Sequence, residues 1–315
     1  MLEIIYLIIA LFTGILAGTI TGISPGIHIN LVSVFVVSLI ASTNLPIEPL
    51  TIVIFLVAMA MTHTFVDFIP SIFLGAPDED NVLSILPGHE MLNKGQAYNA
   101  IVYTLYGSAS ALLIILIFSP LFYFLLPTIY PYVERIMPII LLVASGFLIY
   151  FEKSSRIWAI LIFLLSGILG LATFNLPIKE SLLPLFTGLF GISSLITSIN
   201  KKQKIPKQRI SKLKNIKLKQ LSFIKAIIAS AIASPFCSFL PGMGSGQAAV
   251  IGSNIIGDLK RKEFLVLLGS INTIVMGLSF ITLYSISKAR TGVAVSIGKL
   301  IDLNLSDLIT ITIAI

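Results

Sequence analysis

Long apolar runs, separated by short polar or proline-containing stretches, make up most of the chain. A helix needs about 20 apolar residues to cross the hydrocarbon core of a membrane, and a shorter run is typical of a half-helix or re-entrant segment. The first run lacks a positively charged start and a small-residue cleavage site, so we expect a retained span rather than a signal peptide. The pattern predicts an all-α, polytopic transmembrane protein with apolar segments at Leu2–Ile23, Ile27–Ala41, Ile47–Leu74, Ala97–Leu126, Tyr132–Phe151, Ile157–Phe174, Ser181–Ile199, Leu221–Leu240, Ser245–Ile256, Glu263–Ile286 and Ile301–Ile315.

Two of these runs carry a Pro-Gly pair at related places. Pro25–Gly26 and Pro241–Gly242 lie 216 residues apart, and each pair follows one apolar span and precedes a short apolar segment. The later matches, in the same order, are Thr62–Thr64 with Ile271–Thr273 and Leu83–Ile85 with Val295–Ile297. The pattern therefore predicts two repeat copies. It divides the chain into a first repeat with connecting spans (1–200), a basic linker (201–222) and a second, shortened repeat (223–315).

A Pro-Gly pair inside a membrane helix frees backbone groups that hydrocarbon does not satisfy, so such a break faces a wet cavity or is buried in protein. The N-terminal end of the helix after the break carries a partial positive charge that suits an anion. Seven predicted membrane segments separate the starts of the two copies, and an odd number inverts the second copy. Inverted repeats with broken, re-entrant helices are characteristic of secondary transporters. A plain helix kink at each break is the structural alternative.

The composition excludes a water-soluble protein. Of 315 residues, 56% are hydrophobic and 11% are charged, whereas a soluble domain carries about 25% charged residues. The single cysteine, Cys237, excludes an internal disulfide and a multi-cysteine metal centre. Sequence motifs of nucleotide-binding loops, zinc hydrolases and serine hydrolases are missing, so we expect no enzyme and no cofactor, with Na⁺ left open.

Positive charge is concentrated in one place. Ten of the 21 Lys and Arg residues fall in Lys201–Lys225. In a membrane protein such a run marks a cytoplasmic loop near anionic lipid headgroups rather than a nucleic-acid partner. Fixing this linker inside the cell also places Lys153, Arg156 and Asp78–Lys94 inside, and Lys260–Lys262 as well if Ser245–Ile256 returns across the membrane, with predicted turns at 127–135 and 175–180 outside. The N-terminus then lies outside, and the predicted location is the cell membrane.

Three segments together resemble a known family. Gly18–Leu31 (GTITGISPGIHINL), Phe73–Ala100 and Phe239–Val250 (FLPGMGSGQAAV) are similar, in this order, to motifs of the TctA family, the large membrane subunit of tripartite tricarboxylate transporters. The acidic stretch Asp78–Asp80 resembles archaeal relatives of that family. The resemblance implies an organic-anion permease with a small membrane subunit and an extracellular solute-binding protein as partners. A homodimer is left open.

The candidate substrate-binding residues follow the two breaks or hold mirrored places in the two copies: Ser24, Pro25, Gly26, His28, Asn30, Pro241, Gly242, Gly244, Ser245, Gly246, Gln247, Asn272, Thr273 and Arg290. His63 and Asp67 lie four residues apart on one helix face. Because an unpaired carboxylate is costly inside a membrane, we expect there either a coupling-cation or proton site or a structural hydrogen bond. The candidate gating loop contains Gly75, Pro77, Asp78 and Asp80. Close packing of small residues and simple hydration of loop charges are the alternatives for the other positions.

The sequence thus predicts a secondary active transporter, a permease, of a small organic anion such as a carboxylate, driven by H⁺ or Na⁺. A flippase for a polyprenyl-phosphate-type lipid carrier is the first alternative, in which the breaks and Arg290 hold the headgroup. A non-transporting membrane scaffold or receptor subunit is an alternative of another class. In that case substitutions at the Pro-Gly pairs change only stability.

Overall fold

The computed structural model describes residues 2–43, 47–75, 81–152, 154–177, 185, 187–192, 196, 205–240, 243–257 and 259–315. These residues form helices, turns and loops, and no strand occurs among them. They fall into two compact units, one made of Met1–Glu134 and Ile205–Ile315 and the other of Arg135–Lys204. Six helical stretches of the described chain are long and apolar enough to cross a membrane. The predicted all-helical, multi-pass membrane architecture is confirmed.

The helices of the first half are α1 (Leu2–Ile23), α2 (Ile29–Thr43), α3 (Pro49–Val66), α4 (Phe68–Leu74), α5 (Ile85–Asn93), α6 (Ala97–Phe151) and α7 (Arg156–Phe174). Those of the second half are α8 (Gln220–Cys237), α9 (Ser245–Ile256), α10 (Arg261–Ile286), α11 (Gly292–Gly298) and α12 (Leu305–Ala314). Short 3₁₀ turns occupy Val82–Ser84 and Leu213–Asn215, and a π-helical turn occupies Thr187–Ile192. The first predicted break is confirmed, since α1 ends and α2 begins on either side of it.

A stripe of glycines lets α1 lie directly against α3. A Cβ at Gly14 would meet the Phe55 carbonyl oxygen at 2.6 Å, and a Cβ at Gly18 would collide with the Met59 carbonyl oxygen. Gly22, one turn further, faces the last turn of α3. Later residues of α1 meet later residues of α3, so the two helices are parallel. The chain must therefore return across the membrane through α2, whose 15 residues are fewer than a full span needs.

The same stripe recurs in the second copy with serines in place of the glycines. An offset of 216 residues carries the three glycines onto Ser230, Ser234 and Ser238. All three serines are buried, and the Ser230 hydroxyl lies 2.8 Å from the Ser270 hydroxyl of α10. Small side chains at four-residue intervals permit close helix packing in membranes. The pair α8–α10 thus repeats the pair α1–α3, which supports the predicted repeat.

The two copies meet where α3 crosses α10. Thr64 and Thr273 are equivalent in the predicted repeat, and their hydroxyl oxygens lie 3.1 Å apart. Three residues further along the first copy, Asp67 contacts Asn272, the residue before Thr273. These contacts step forward by three residues along α3 and back by one along α10, and Glu90, which follows α3 and α4 in the chain, pairs with Arg261 at the start of α10; both observations agree with antiparallel packing. Equivalent helices running in opposite directions are the relation that an inverted repeat requires.

Protein rather than lipid surrounds α10, which is buried along almost its whole length. A Cβ at Gly107 of α6 would collide with the Val266 carbonyl oxygen, and one at Gly269 with the Thr104 carbonyl oxygen. The Ser108 hydroxyl donates a hydrogen bond of 3.1 Å to the Gly269 carbonyl oxygen. Backbones in such close contact leave no space for a lipid chain between α6 and α10.

The helix α6 corrects a prediction. The sequence predicts two spans, Ala97–Leu126 and Tyr132–Phe151, joined by a turn at 127–135, but the structure has one helix of 55 residues. Pro127 and Pro131 do not end the helix, because local adjustments in membrane helices satisfy the carbonyl groups that proline frees. The segment count therefore no longer supports the inversion, which is supported instead by the contacts of α3 with α10.

The basic linker is docked on the first copy. The Gln208 side-chain oxygen accepts a hydrogen bond of 2.9 Å from the Ala97 amide, and its nitrogen donates one of 3.1 Å to the Leu92 carbonyl oxygen. The Arg209 amide donates to the Gly95 carbonyl oxygen at 2.9 Å. The described Lys and Arg side chains of the linker are exposed. Its cytoplasmic position stays a prediction.

In the second unit, α7 is exposed along nearly its whole length, as expected for a helix that faces lipid. Glu152 holds the turn before it. The Glu152 carboxylate accepts a hydrogen bond of 2.7 Å from the Ser154 hydroxyl and one of 3.0 Å from the Ser154 amide. The hydroxyl and then the amide lower the pKa of Glu152 from its ordinary value. Arg156, the first residue of α7, donates to the Glu152 carbonyl oxygen at 3.0 Å.

The packing of α1 on α3 predicts that an alanine is harmful within this contact and harmless at an open glycine of another helix. Gly18→Ala should lower the melting temperature of the detergent-purified protein, because overpacking against a backbone carbonyl costs about 1–3 kcal/mol. Gly170→Ala in α7, where a Cβ meets no atom within 4 Å, should leave it unchanged or raise it, because alanine favours a helix by up to about 1 kcal/mol over glycine. Equal melting temperatures for the two variants would contradict this packing.

Candidate functional site

Polar side chains gather in the apolar core where α3 crosses α10. His63, Asp67, Asn272 and Thr273 are each at most 5% exposed. The Asn272 side-chain nitrogen donates a hydrogen bond of 2.8 Å to Asp67 Oδ2. Asp67 belongs to the first copy and Asn272 to the second, so this hydrogen bond joins the two copies. Hydrogen bonds to a carboxylate are roughly twice as strong as those between neutral groups. The structure thus brings both predicted coupling-ion residues together with two predicted substrate residues.

Asp67 lies at a break in its helix. The helix α3 ends at Val66 and α4 begins at Phe68, while the Asp67 amide still donates to the His63 carbonyl oxygen at 3.0 Å. Pro70 explains the break, because it has no N–H to donate to the carbonyl four residues earlier but fits the first turn of a new helix. Asp67 itself keeps helical dihedral angles (φ −59°, ψ −19°), so the interruption is a local one within a helical stretch that runs from Pro49 to Leu74.

Asn81 lies on another side of Asp67. It is fully buried just before the 3₁₀ turn Val82–Ser84, and its side-chain nitrogen donates to the Asp67 carbonyl oxygen at 3.2 Å. A hydrogen bond of 2.7 Å between the Ser71 and Ser84 hydroxyls ties this turn to α4. The chain after α4 therefore returns to it and places an amide beside Asp67.

His63 connects the crossing to the end of α1. Its Nδ1 atom lies 3.0 Å from the hydroxyl of the buried Thr21. Gly22 permits this approach, since a Cβ there would lie 3.3 Å from the Asp67 amide nitrogen. Thr21 precedes the first Pro-Gly pair by four residues. The first break and the face bearing His63 and Asp67 are therefore neighbours.

The first break is capped by its own residues. Pro25 and Gly26 are exposed, and Gly26 has a φ of +84°, a conformation that favours glycine. The Ser24 hydroxyl donates back to a carbonyl oxygen of α1 at 2.8 Å. At the start of α2, His28 Nδ1 accepts a hydrogen bond of 3.2 Å from the Asn30 amide. Ser24 and His28 thus bind helix ends here, and their substrate role stays a prediction.

The Asn30 side chain contacts the second copy. Its oxygen accepts a hydrogen bond of 3.2 Å from the Val293 amide at the start of α11. Gly292 leaves room for it, since a Cβ there would lie 2.6 Å from the Asn30 Cβ. One turn further, the Ser33 and Ser296 hydroxyl oxygens lie 3.2 Å apart. The short helix after the first break therefore packs on α11.

The second break lies between Cys237, where α8 ends, and Ser245, where α9 begins. Pro241–Gly242 lie outside the described residues. Gln247 caps the new helix, since its side-chain oxygen accepts a hydrogen bond of 2.9 Å from the Gly244 amide. A broken chain at the predicted place is thus seen in both copies.

The helix after the second break packs on the first copy. A Cβ at Gly246 would lie 3.8 Å from a methyl carbon of Leu83, in the 3₁₀ turn before α5. Ser245 beside it is buried. This contact mirrors that of α2 with α11. Each short helix that follows a break therefore packs on the other copy.

No described contact joins Gly75 or Arg290 to the buried cluster. Gly75 ends α4 with a φ of +65°, a left-handed conformation suited to glycine. Pro77, Asp78 and Asp80 lie outside the described residues. Arg290 is half-buried in the connection between α10 and α11, and no described contact links it to the cluster. Gating by this loop and substrate binding by Arg290 stay predictions.

Sequence reasoning did not single out Thr21, Thr64 or Asn81 as site residues. Thr64 could have been found, because the repeat alignment pairs it with Thr273. Thr21 has Cys237 at the equivalent position of the second copy, so the repeat did not mark it. Asn81 directly follows the acidic residues Asp78–Asp80, and the prediction for this segment was based on their charges rather than on the amide.

Comparison with known proteins identifies the chain. A sequence model of the tripartite tricarboxylate transporter TctA family matches residues 8–307. The chain belongs to the TctA family. An uncharacterized protein of Methanocaldococcus jannaschii is 34% identical over 327 aligned positions, which cover 100% of this chain and 79% of that protein. No solved structure matches the chain. TctA membership makes it a membrane subunit of a transporter, and the archaeal relative agrees with the predicted archaeal branch.

The Asp67–Asn272 contact predicts a large effect for one amide substitution. Asn272→Ala should lower the free energy of unfolding by about 1.5–3 kcal/mol, because a buried carboxylate loses a hydrogen-bond donor. The matched control is Asn254→Ala, whose side chain is exposed and bonds only within α9 at 2.8 Å. It should change stability by less than about 0.5 kcal/mol. Equal unfolding free energies for the two variants, measured in denaturant titrations, would show that the contact does not hold the copies together.

Proposed function

We propose that this TctA protein is a secondary active transporter of a small organic anion, a carboxylate, driven by a gradient of H⁺ or Na⁺. Family membership supports transport itself. The coupling cation binds at Asp67, with His63 beside it, and the substrate binds near the two chain breaks. The observation that carries the proposal is the hydrogen bond between Asp67 and Asn272.

That hydrogen bond offers a physical route for coupling. Asp67 belongs to the first copy and Asn272 to the second, so a relative movement of the two copies changes the environment of the carboxylate. A cation that neutralises Asp67 therefore changes the relative free energies of the conformations that expose the substrate site to either side. A ligand shifts a conformational equilibrium only by such a difference in affinity between states. Alternating access between inverted repeats needs a coupling of this kind.

The helix that follows the second break supports an anionic substrate. The 12-residue helix α9 begins at Ser245, directly after the break, with Gly246 as its second residue. The start of a helix carries partial positive charge and amide donors, which stabilise a carboxylate. Arg290 offers a planar guanidinium for a second carboxylate oxygen.

Two partners complete the proposal. TctA proteins normally act with a small membrane subunit and an extracellular solute-binding protein, and we expect both for this chain. The binding protein captures substrate that is dilute outside the cell. The membrane subunit described here provides the path across the membrane and couples substrate transport to the cation gradient.

Transport in proteoliposomes tests the proposal. The protein, with its partners where delivery requires them, should accumulate labelled di- or tricarboxylates under an inward H⁺ or Na⁺ gradient. Asp67→Asn should reduce accumulation to the level of empty vesicles, because a neutral amide removes the charge that the cation balances. Glu134→Gln, which removes an exposed carboxylate paired with Lys288 at 3.3 Å, should leave accumulation unchanged.

Ligand-dependent stability separates the alternatives. A ligand at 100 times its Kd raises the unfolding free energy by about 2.7 kcal/mol, which a melting curve detects. Stabilisation by carboxylates supports the proposal. Stabilisation only by polyprenyl phosphates would replace it with a lipid flippase. The absence of any stabilisation, together with no uptake, would favour a scaffold subunit.

A further inference from the structure

The basic linker is fixed to the protein at two places. The Gln208 side chain donates to the Leu92 carbonyl oxygen in the last turn of α5 and accepts from the Ala97 amide at the start of α6. Further along the linker, the Ile216 side chain is only 3% exposed. Because these contacts hold its backbone, the linker presents its other side chains in a defined arrangement.

The linker runs between the starts of two candidate membrane spans. Ala97, which Gln208 contacts, begins the span in α6, and the last residues of the linker begin the span in α8, at Gln220. Between these points the Tyr106 hydroxyl of α6 donates to the Ile216 carbonyl oxygen at 3.4 Å. Tyrosine is enriched where a membrane meets water. We therefore expect the linker near the level of the lipid headgroups.

The described cations of the linker are exposed, and no acidic residue of the linker balances their charge. These cations are Lys207, Arg209, Lys212, Lys214, Lys217 and Lys219. Asp and Glu are missing from the whole segment Lys201–Lys225. The ion pairs of the described chain involve other residues, Arg261 with Glu90 and Lys288 with Glu134. The exposed face of the linker therefore attracts anions.

Exposed aliphatic side chains lie between these cations. Ile210 is 83% exposed, Leu213 57% and Ile205 49%. Contact of such side chains with water is unfavourable, whereas they are stabilised at the boundary between headgroups and acyl chains. A soluble polyanion such as a nucleic acid offers phosphates but no apolar layer. The surface of an anionic bilayer offers both, so it fits this mixture of side chains better.

We infer that the linker is a binding surface for anionic phospholipids, with its cations on the headgroup phosphates and Ile210 and Leu213 inserted toward the acyl chains. Clusters of about four to eight Lys and Arg residues beside a transmembrane helix bind anionic lipids. Because Gln208 ties the linker to the first copy and the chain continues into α8 of the second, the bound lipids lie where the two copies are joined. The inference does not depend on the proposed function, since it requires only that the protein spans a membrane.

A fluorophore on the linker of the full chain tests this inference. In a Cys237→Ser background, Ile210→Cys is labelled with a polarity-sensitive fluorophore and reconstituted in phosphatidylcholine vesicles with or without phosphatidylglycerol. Phosphatidylglycerol should shift the emission to shorter wavelength and expose the fluorophore to quenchers attached to the lipid chains. The shift should weaken at about 1 M salt, where the Debye length falls to about 3 Å.

Charge variants of the same labelled protein test the role of the cations. Lys212→Gln, Lys214→Gln and Lys217→Gln together should remove most of the shift, because they halve the described positive charge of the linker. The corresponding triple arginine variant keeps the charge and should keep the shift. A wild-type melting temperature in phosphatidylcholine alone shows that each variant is folded.

The matched control removes three exposed cations outside the linker, in the variant Arg135→Gln, Lys288→Gln and Lys299→Gln, and should keep the shift. The inference is wrong where the two triple glutamine variants lose the shift equally, or where the fluorophore responds alike with and without phosphatidylglycerol. A shift caused by a soluble polyanion such as heparin, but not by phosphatidylglycerol, would also overturn it and assign the surface to a soluble partner.

Discussion

The buried Asp67 carboxylate is the main constraint on the packing of the core around it. A carboxylate in a membrane segment costs about 2.5–3.5 kcal/mol even on a lenient scale, and it persists only where other groups compensate. Asn272 donates to it from the opposite copy, and Asn81 bonds to its backbone. Asp67 stands at the local interruption between α3 and α4, three residues before Pro70. Because the compensating groups come from separate elements, the carboxylate holds those elements in one arrangement.

Small residues make this convergence possible. Gly14, Gly18 and Gly22 bring α1 against α3 and place Thr21 beside His63. In the second copy, serines hold the equivalent positions in α8 and directly after it. The two copies have equivalent helices, but different side chains occupy the equivalent positions of the site. In the second copy, Asn272 stands where the first has His63, and Met276 stands where the first has Asp67. The carboxylate therefore belongs to one copy and the amide that donates to it belongs to the other. Their hydrogen bond depends on how the two copies are placed relative to each other.

Much of the fold could be predicted because the length of an apolar run and the position of a Pro-Gly pair can be read from neighbouring residues in the sequence. The bounds of α1 and α9 agree with the sequence prediction residue for residue. The turn predicted near Pro127 was wrong because proline does not end every membrane helix, and its effect depends on neighbouring groups that the sequence does not show. The helix break at Asp67 was not predicted, although Pro70 is its local cause.

The site was less predictable because it depends on contacts between distant elements. Spacing on one helix placed His63 with Asp67, and the repeat marked Asn272, but neither observation showed that Asn272 would donate to Asp67. Asn81 reaches Asp67 only because the chain after α4 returns to that helix. Such contacts follow from packing and leave no periodic pattern in the sequence.

Disulfide trapping tests most directly whether the two copies meet at equivalent positions of α3 and α10. In a Cys237→Ser background, Thr64→Cys combined with Thr273→Cys should form a disulfide under mild oxidation, detected as a linked peptide by mass spectrometry. Thr64→Cys with Thr282→Cys should not, because Thr282 lies nine residues, about 13 Å, further along α10. Equal crosslinking of the two pairs, or none in the first pair while both thiols react after unfolding, would contradict the antiparallel contact on which the account depends.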